Sequence, residues 1–504
     1  MHKIRILILS FCATVVAALA LSSSASAARD IQYGFVEDQF ADNLLYNGNE
    51  QIQDLWWDRL AATNSDLVRL NMYWGQVAPS VPTNPTSPGS PSYNFSIYDD
   101  AVREAQERGI QVVFTICIAP RWAQGANPPP EDQYRVGSWK PNPIAFGNFA
   151  QAVAKRYSGN FSPAAGQPPL PRVKYFEGWN EPNLPQYLTP QWDGTTPVST
   201  ETYRGLINAF YAGIKAGQPG ATVVAAGTSP FGDDPGGKRM RPYAFWRQLL
   251  CLKQKKVKKK GHGHGKGHKH KHKKPKYKLK KIKGCAGGSD YATMDIYAHN
   301  PINAKKGQGP EAKTNDPDNG VPSNFKDLTK IVRAAEKYKT ILPGKKHAGW
   351  GTETWYESNP PEQVGGVSLK KQAKFMEQAM YVLWRQKVKG MFFLQLQDTE
   401  YDPSLPPLVG FQTGIYLPDG KAKPSAKAVA FPFVADRKSK KKVKLWGIAP
   451  KKGKVTIKAG KKKVAKIKAK DSKVFAKDVK LKGKAKLVAK LGKKKSLPWK
   501  LKAK

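Results

Sequence analysis

Two glutamates stand where strand-like runs give way to turns: Glu181 in YFEGWNEPN, residues 175–183, and Glu353 in GTETW, residues 351–355. Carboxyl groups that converge on one cavity can break a glycosidic bond, one protonating the departing oxygen while the other acts from the opposite side of the sugar. At a separation of about 5 Å the second attacks directly, forming a covalent glycosyl intermediate with retention of configuration. On this reading Glu181 is the general acid and then the general base, and Glu353 is the nucleophile. An ionised Glu353 would hold the Glu181 pKa up until the intermediate forms; that charge then vanishes and Glu181 can act as a base.

Polar and aromatic side chains recur beside the pair. Asn180 adjoins the acid and could hydrogen-bond a sugar hydroxyl; Arg69 is expected to keep Glu353 ionised and oriented. Trp122, Trp179 and Trp355 offer faces for sugar C–H groups, the alternative being that they are core. Tyr297 and His299 end another run and are read as substrate-binding, although His299 could equally be a satisfied strand-end histidine. Glu177 shares the parity of Glu181 but lies deeper, where a buried carboxylate needs a cation. Glu357 is expected to be solvated.

The elements that must position these residues alternate. Apolar runs bounded by turn residues occur at 31–36, 67–74, 111–118, 173–179, 222–227, 293–298, 348–353 and 391–396, each followed by one segment of helical spacing: 52–60, 97–108, 144–157, 203–216, 243–252, 325–338, 369–384 and 421–429. Nearly continuous apolar strands alternating with helices predict a parallel sheet covered by helices, and eight such units predict an α/β fold of the closed (β/α)8 TIM barrel type. A doubly wound open sheet is the rival. In a closed barrel the strand carboxyl ends assemble the site, which is where the residues above fall.

The run Trp179-Asn180-Glu181-Pro182-Asn183 after the fourth strand, with Thr352-Glu353 at the seventh, resembles the retaining glycoside hydrolases of clan A, nearest to families 5 and 39 and related secreted proteins. The resemblance spans residues 30–434. It implies Glu181 as acid/base, Glu353 as nucleophile, Asn180 as the sugar-binding amide, Arg69 as the strand-two arginine and His299 as an active-site polar group. Where many members carry a tryptophan after the eighth strand, this chain has Leu394, Gln395 and Leu396, which changes the innermost sugar subsite. The competing function is a non-catalytic polysaccharide- or wall-binding protein on a barrel scaffold.

The formal net charge of +46 suggests nucleic acid until it is located. Residues 253–283 hold 16 lysines and no acid, and residues 437–504 hold 29 Lys or Arg against 2 Asp, so the remainder is nearly neutral. The first segment reads as a flexible low-complexity insertion whose histidines 262, 264, 268, 270 and 272 could ligate a metal or simply be solvated; no metal site is assigned and no cofactor is expected. The second alternates apolar and basic residues between glycines, predicting a small all-β, sandwich-like domain at 435–504, with a disordered tail as the alternative. Such a surface would attract an anionic cell-wall polymer or acidic polysaccharide. Trp446, Phe475 and Trp499 look isolated, so no aromatic platform points to specific nucleic-acid recognition.

Lys3 and Arg5, the apolar residues 6–21 and Ala25-Ser26-Ala27 read as a signal peptide over 1–27, rather than a membrane anchor. That leaves a catalytic domain at 28–434 and a secreted or cell-wall-associated protein with no later membrane span. Cys251 and Cys285 flank the basic insertion and are expected to form a disulfide, free thiols being the alternative.

Overall fold

Alternation along Leu67–Tyr73 sets out the architecture. Val68, Leu70 and Met72 face a helical layer, while Leu67 joins an inner cluster with Val36, Val113, Tyr175, Val224, Ile296, Trp350 and Phe392, one residue from each of eight strands. Only a closed barrel lets eight strands meet in one interior plug. The computed structural model, which describes residues 30–38, 40, 49–257, 277–303, 305, 307–404 and 411–503, contains that barrel.

The strands are β1 (Gln32–Val36), β2 (Leu67–Tyr73), β3 (Gln111–Cys117), β4 (Tyr175–Asn180), β5 (Thr222–Thr228), β6 (Ile296–His299), β7 (Ala348–Thr354) and β8 (Gly390–Leu394). They pair in sequence order, and β1 closes the ring by pairing in parallel with both β2 and β8, which excludes the open sheet. The covering helices are α1 (Glu50–Ala62), α2 (Ser96–Glu107), α3 (Pro143–Arg156), α4 (Ser199–Gly217), α5 (Pro242–Leu249), α6 (Phe325–Tyr338), α7 (Leu369–Arg385) and α8 (Pro424–Ala430). Local chemistry sets their ends: Asn142 caps α3 by accepting from the amides of Ile144 and Ala145, and Pro143 follows at the first turn. In α6, Leu328, Ile331, Val332 and Ala335 bury one stripe. Among the described residues no helix is long and apolar enough to cross a membrane.

The basic insertion differs from expectation. Its arms, Leu252–Lys256 and Tyr277–Lys281, form an antiparallel ladder, so the flexible segment expected from 253 to 283 is ordered at both ends. A ladder needs no core of its own once its base is clipped: Cys251 and Cys285 are disulfide-bonded with Cα atoms 5.7 Å apart, and the Tyr338 hydroxyl donates to the Leu279 carbonyl (3.1 Å). The turn at Cys251, with φ of 55°, also ends α5 at Leu249, before the expected 252. Replacing both cysteines with serine is expected to lower stability by about 2–4 kcal/mol, read as a lower urea midpoint. An unchanged midpoint would show that the ladder holds itself. The histidines at 262–272 and the expected signal segment lie outside the described residues.

The C-terminal region is a two-sheet sandwich. One sheet holds β9 (Phe433–Arg437), β10 (Lys442–Ile448) and β13 (Val474–Lys480); the other holds β11 (Gly453–Ala459), β12 (Lys462–Ala469), β14 (Ala485–Leu491) and β15 (Trp499–Leu501). Phe433, Val443, Leu445 and Phe475 meet Val455, Ile457, Ile467 and Leu487 across the interior. The aromatic residues are not isolated, as the sequence suggested. Phe475 stacks on Phe433, and Trp446 packs against Tyr381 and Trp384 of α7 at 5.6 and 5.7 Å between ring centres.

Candidate active site

Arg69, pointing inward from β2, forms the floor of the barrel mouth. It is wholly buried, its Nε donating to Glu177 of β4 (2.8 Å) and its Nη2 to Asn180 Oδ1 (2.9 Å). Thr115 of β3 donates to the same Glu177 oxygen (2.6 Å). Burial alone would lower the arginine pKa, but the charges of Glu177 and Glu353 outweigh it and raise it, so the guanidinium stays charged. Glu177 is thus the buried partner of a cation, as expected, and Arg69 acts on Glu353 through its charge, without an ion pair to it among the described residues.

Above this floor the strand ends break regular alternation. Ile118, Trp179, Glu181, Ala226 and Gln395 all have left-handed φ values, from 39° to 74°. None is glycine, so each is held against its intrinsic preference by its surroundings. One such support is Tyr203 of α4, whose hydroxyl donates to the Gly178 carbonyl (2.8 Å) and accepts from the Ala226 amide (2.7 Å), pinning the bulged ends of β4 and β5 together.

A cavity of about 540 Å3 opens above, lined by Asn180 and Glu181 from β4 and by Glu353 and Trp355 from β7 and its following turn. Asp38, Asn71, Tyr73, Tyr187, Arg239, Leu394 and Gln395 complete much of its wall. Glu181 accepts from Asn300 Nδ2 (2.9 Å), and Asn300 in turn accepts from Thr352 Oγ1 (2.9 Å). Burial and then the charge of Glu353 push the Glu181 pKa up to about 8. Glu353 accepts from the Trp355 indole (3.1 Å); burial raises its pKa as well, but Arg69 and that hydrogen bond oppose the rise. Both carboxyl pKa values are thus raised, and it is Glu353 whose charged form the Arg69 field and an indole hydrogen bond favour most directly.

Several sequence candidates lie elsewhere. Trp179, with φ of 74°, turns outward and is buried edge-on against Phe146 of α3, its indole donating to the Tyr187 carbonyl (2.8 Å). Ile296 and Ala298 of β6 face the inner plug, so alternation puts Tyr297 and His299 in the helix-facing layer. The Tyr297 hydroxyl donates to Thr329 Oγ1 of α6 (2.9 Å). His299 is fully buried against Thr228 (2.9 Å) and Phe325, and a β-carbon added to Gly320 would lie 2.0 Å from its Nε2. Burial lowers its pKa to about 4, making it a neutral packing residue. Trp122 packs edge-on against Trp74 and donates to the Ala78 carbonyl, outside the cavity. Glu357 is buried, not solvated. Conversely Asn300, Asp38 and Asn71 were not assigned from sequence, although Asn71 and Asn300 stand at strand ends, where inward amides are expected. Asp38 accepts from the Asn71 amide and side chain (3.1 and 2.8 Å). Among the described residues no cluster of three His, Cys, Asp or Glu could hold a metal ion.

No protein-family model matches the chain, and no curated protein matches it in sequence. Among solved structures it is similar to a family 39 glycoside hydrolase from the gut symbiont Bacteroides cellulosilyticus WH2, with a TM-score of 0.51 and 15% identity over 89% of this chain and 78% of that one. Weaker similarities are to a GH5_18 from Bifidobacterium longum subsp. infantis (TM-score 0.45, 12% identity, 80% of this chain and 78% of that one) and to the Ignisphaera aggregans GH53 catalytic domain (0.45, 13%, 81% and 97%). The first of these likenesses supports the barrel fold; the other two add nothing to it.

Proposed function

We propose that the chain is a retaining glycosidase acting on a β-linked glycan, with Glu181 as acid/base and Glu353 as nucleophile. The observation that carries this reading is the pair itself: carboxyl groups from β4 and β7 line one open cavity, Glu181 held by the Asn300 amide and Glu353 by the Trp355 indole. Asn180 and Trp355 contact the sugar, and Arg69 acts from beneath as a positioning residue. The fold shared with a structure named as a family 39 glycoside hydrolase supports the same class. We test it with a panel of aryl β-glycosides, following the anomer first released by NMR. Turnover with release of the β-anomer is the expected result. Release of the α-anomer would replace retention with inversion, and binding without turnover would favour a non-catalytic polysaccharide-binding role.

The disulfide favours export to an oxidising compartment. With it goes a chain organised as a signal segment at 1–27, a catalytic domain at 28–434 and an accessory domain at 435–504. The sandwich, whose lysines lie mostly on exposed positions, would hold the enzyme on acidic wall polymer. Replacing exposed Lys454, Lys466, Lys468 and Lys486 with glutamate is expected to abolish retention on an acidic polysaccharide resin at low salt, whereas the parent elutes as salt rises. Retention indifferent to salt or to these changes would remove the role.

A further inference from the structure

A second cavity, of about 490 Å3, shares Tyr73 with the first. Tyr73 ends β2, and the walls beyond it include Gln76, Pro79, Ile118 and Pro120, with Arg121 and Arg135 at the edge. Its volume is that of a ligand pocket, typically about 300–1,000 Å3. Three arginines border the two cavities, and two are neutralised: Arg239 pairs with Asp233 (2.7 Å) and Arg121 pairs with Glu131. Arg135 forms no ion pair among the described residues. Its guanidinium carbon instead lies 5.6 Å from the ring centres of both Tyr73 and Tyr187.

That position is informative because Tyr187 also walls the first cavity, where the charges of Glu181 and Glu353 act on its hydroxyl. Arg135 therefore stands one aromatic ring from the first cavity, at the edge of the second. Two rings hold the side chain in place without neutralising it, which reduces the ordering cost of presenting its donors. A planar guanidinium suits bidentate pairing with a carboxylate. Arg135 is exposed at this edge, so its donors face whatever enters the second cavity.

We infer that the second cavity is a subsite for an acidic sugar, a hexuronic acid adjoining the unit whose bond is cleaved, with its carboxylate held by Arg135. This deepens the glycosidase reading and rests on it for the cleavage, though the binding can be measured alone. The full-length chain carrying Glu181→Gln is titrated calorimetrically, at physiological ionic strength, with a tetrasaccharide alternating neutral hexose and hexuronic acid. The same tetrasaccharide after reduction of its carboxyl groups is the comparison. The acidic form is expected to bind about tenfold more tightly, the scale of one hydrogen bond to a charged group. Adding Arg135→Ala should erase that preference, and Arg135→Lys should restore part of it. The lysine-rich sandwich attracts the acidic form alone, but equally in the parent and in Arg135→Ala, so its share cancels when the preferences of the two proteins are compared. A preference undiminished by Arg135→Ala, a parent that does not discriminate, or a parent that binds neither sugar would overturn the subsite. An Arg135-dependent preference without aryl glycoside turnover would remove only the catalytic reading; turnover without the preference would remove only the subsite.

Discussion

Glu181→Ala is expected to slow hydrolysis of a β-glycoside with an alkyl leaving group by about 10²–10⁴-fold, the usual contribution of a positioned acid. A dinitrophenyl glycoside, whose leaving group departs without a proton, should lose far less in the glycosylation step, and added azide should restore turnover by doing without the base. Glu353→Gln should suppress both substrates, since neither can form the glycosyl intermediate. The pH profile makes the assignment sharper. With the Glu181 pKa pushed up to about 8 by burial and then by Glu353, the parent should lose kcat/KM as pH rises through that value. The same raised pKa has a stability sign. Between the ordinary carboxylate range and about pH 8 the folded chain keeps a proton that the unfolded chain has released, so this group's contribution falls as pH rises across that window. Equal losses for both leaving groups, with the alkaline limb unmoved in Glu181→Ala, would sink the role of Glu181.

Arg69→Met should produce the largest loss of stability, about 3–5 kcal/mol, because it strands the wholly buried Glu177 without its cation. It also removes the donor that fixes Asn180 and the positive field under Glu353. Coupling is the discriminating observable. Combining it with Glu177→Gln should recover part of the loss, since the second change removes the stranded charge. Urea unfolding of the parent, both single variants and the double variant measures this. A loss under about 1 kcal/mol for Arg69→Met, the size of an exposed pair, would mean that water reaches the floor.

The barrel was legible because its strands are apolar on both faces and bounded by turn residues, a pattern that survives without knowing any side-chain contact. Each of the eight expected strands overlaps an observed one. Parity failed at the strand ends, where the chemistry is. Counting by twos assumes extended backbone, yet Trp179 and Ala226 are left-handed and β6 slips against β5 between Tyr297 and His299. The irregularity in β4 exchanges inward for outward and sends Trp179 to the packing layer, whereas in β6 plain alternation, with Ile296 and Ala298 inward, puts His299 outside and brings Asn300 to Glu181. No composition or spacing marks a left-handed tryptophan, since the residue adopts that shape only under tertiary contacts such as those of Tyr203. The hairpin in the basic insertion was hidden for a different reason: its pairing comes from a covalent clip and backbone bonds, not from hydrophobic period.

The contact between the sandwich and α7 bears on modularity. Val434, Trp446, Ile448 and Val474 belong to the same apolar cluster as the barrel's helical layer, and the amide of Phe433 donates to buried Glu377 of α7 (3.2 Å). Melting one unit would strip cover from the other, so the two are expected to unfold in one cooperative transition. The lysine-rich unit is not a cassette that can be cut away or grafted at will. A chain ending at Val434 would leave Tyr381 and Trp384 bare and become adhesive for reasons unrelated to charge, whereas recolouring the exposed lysines leaves the seam closed.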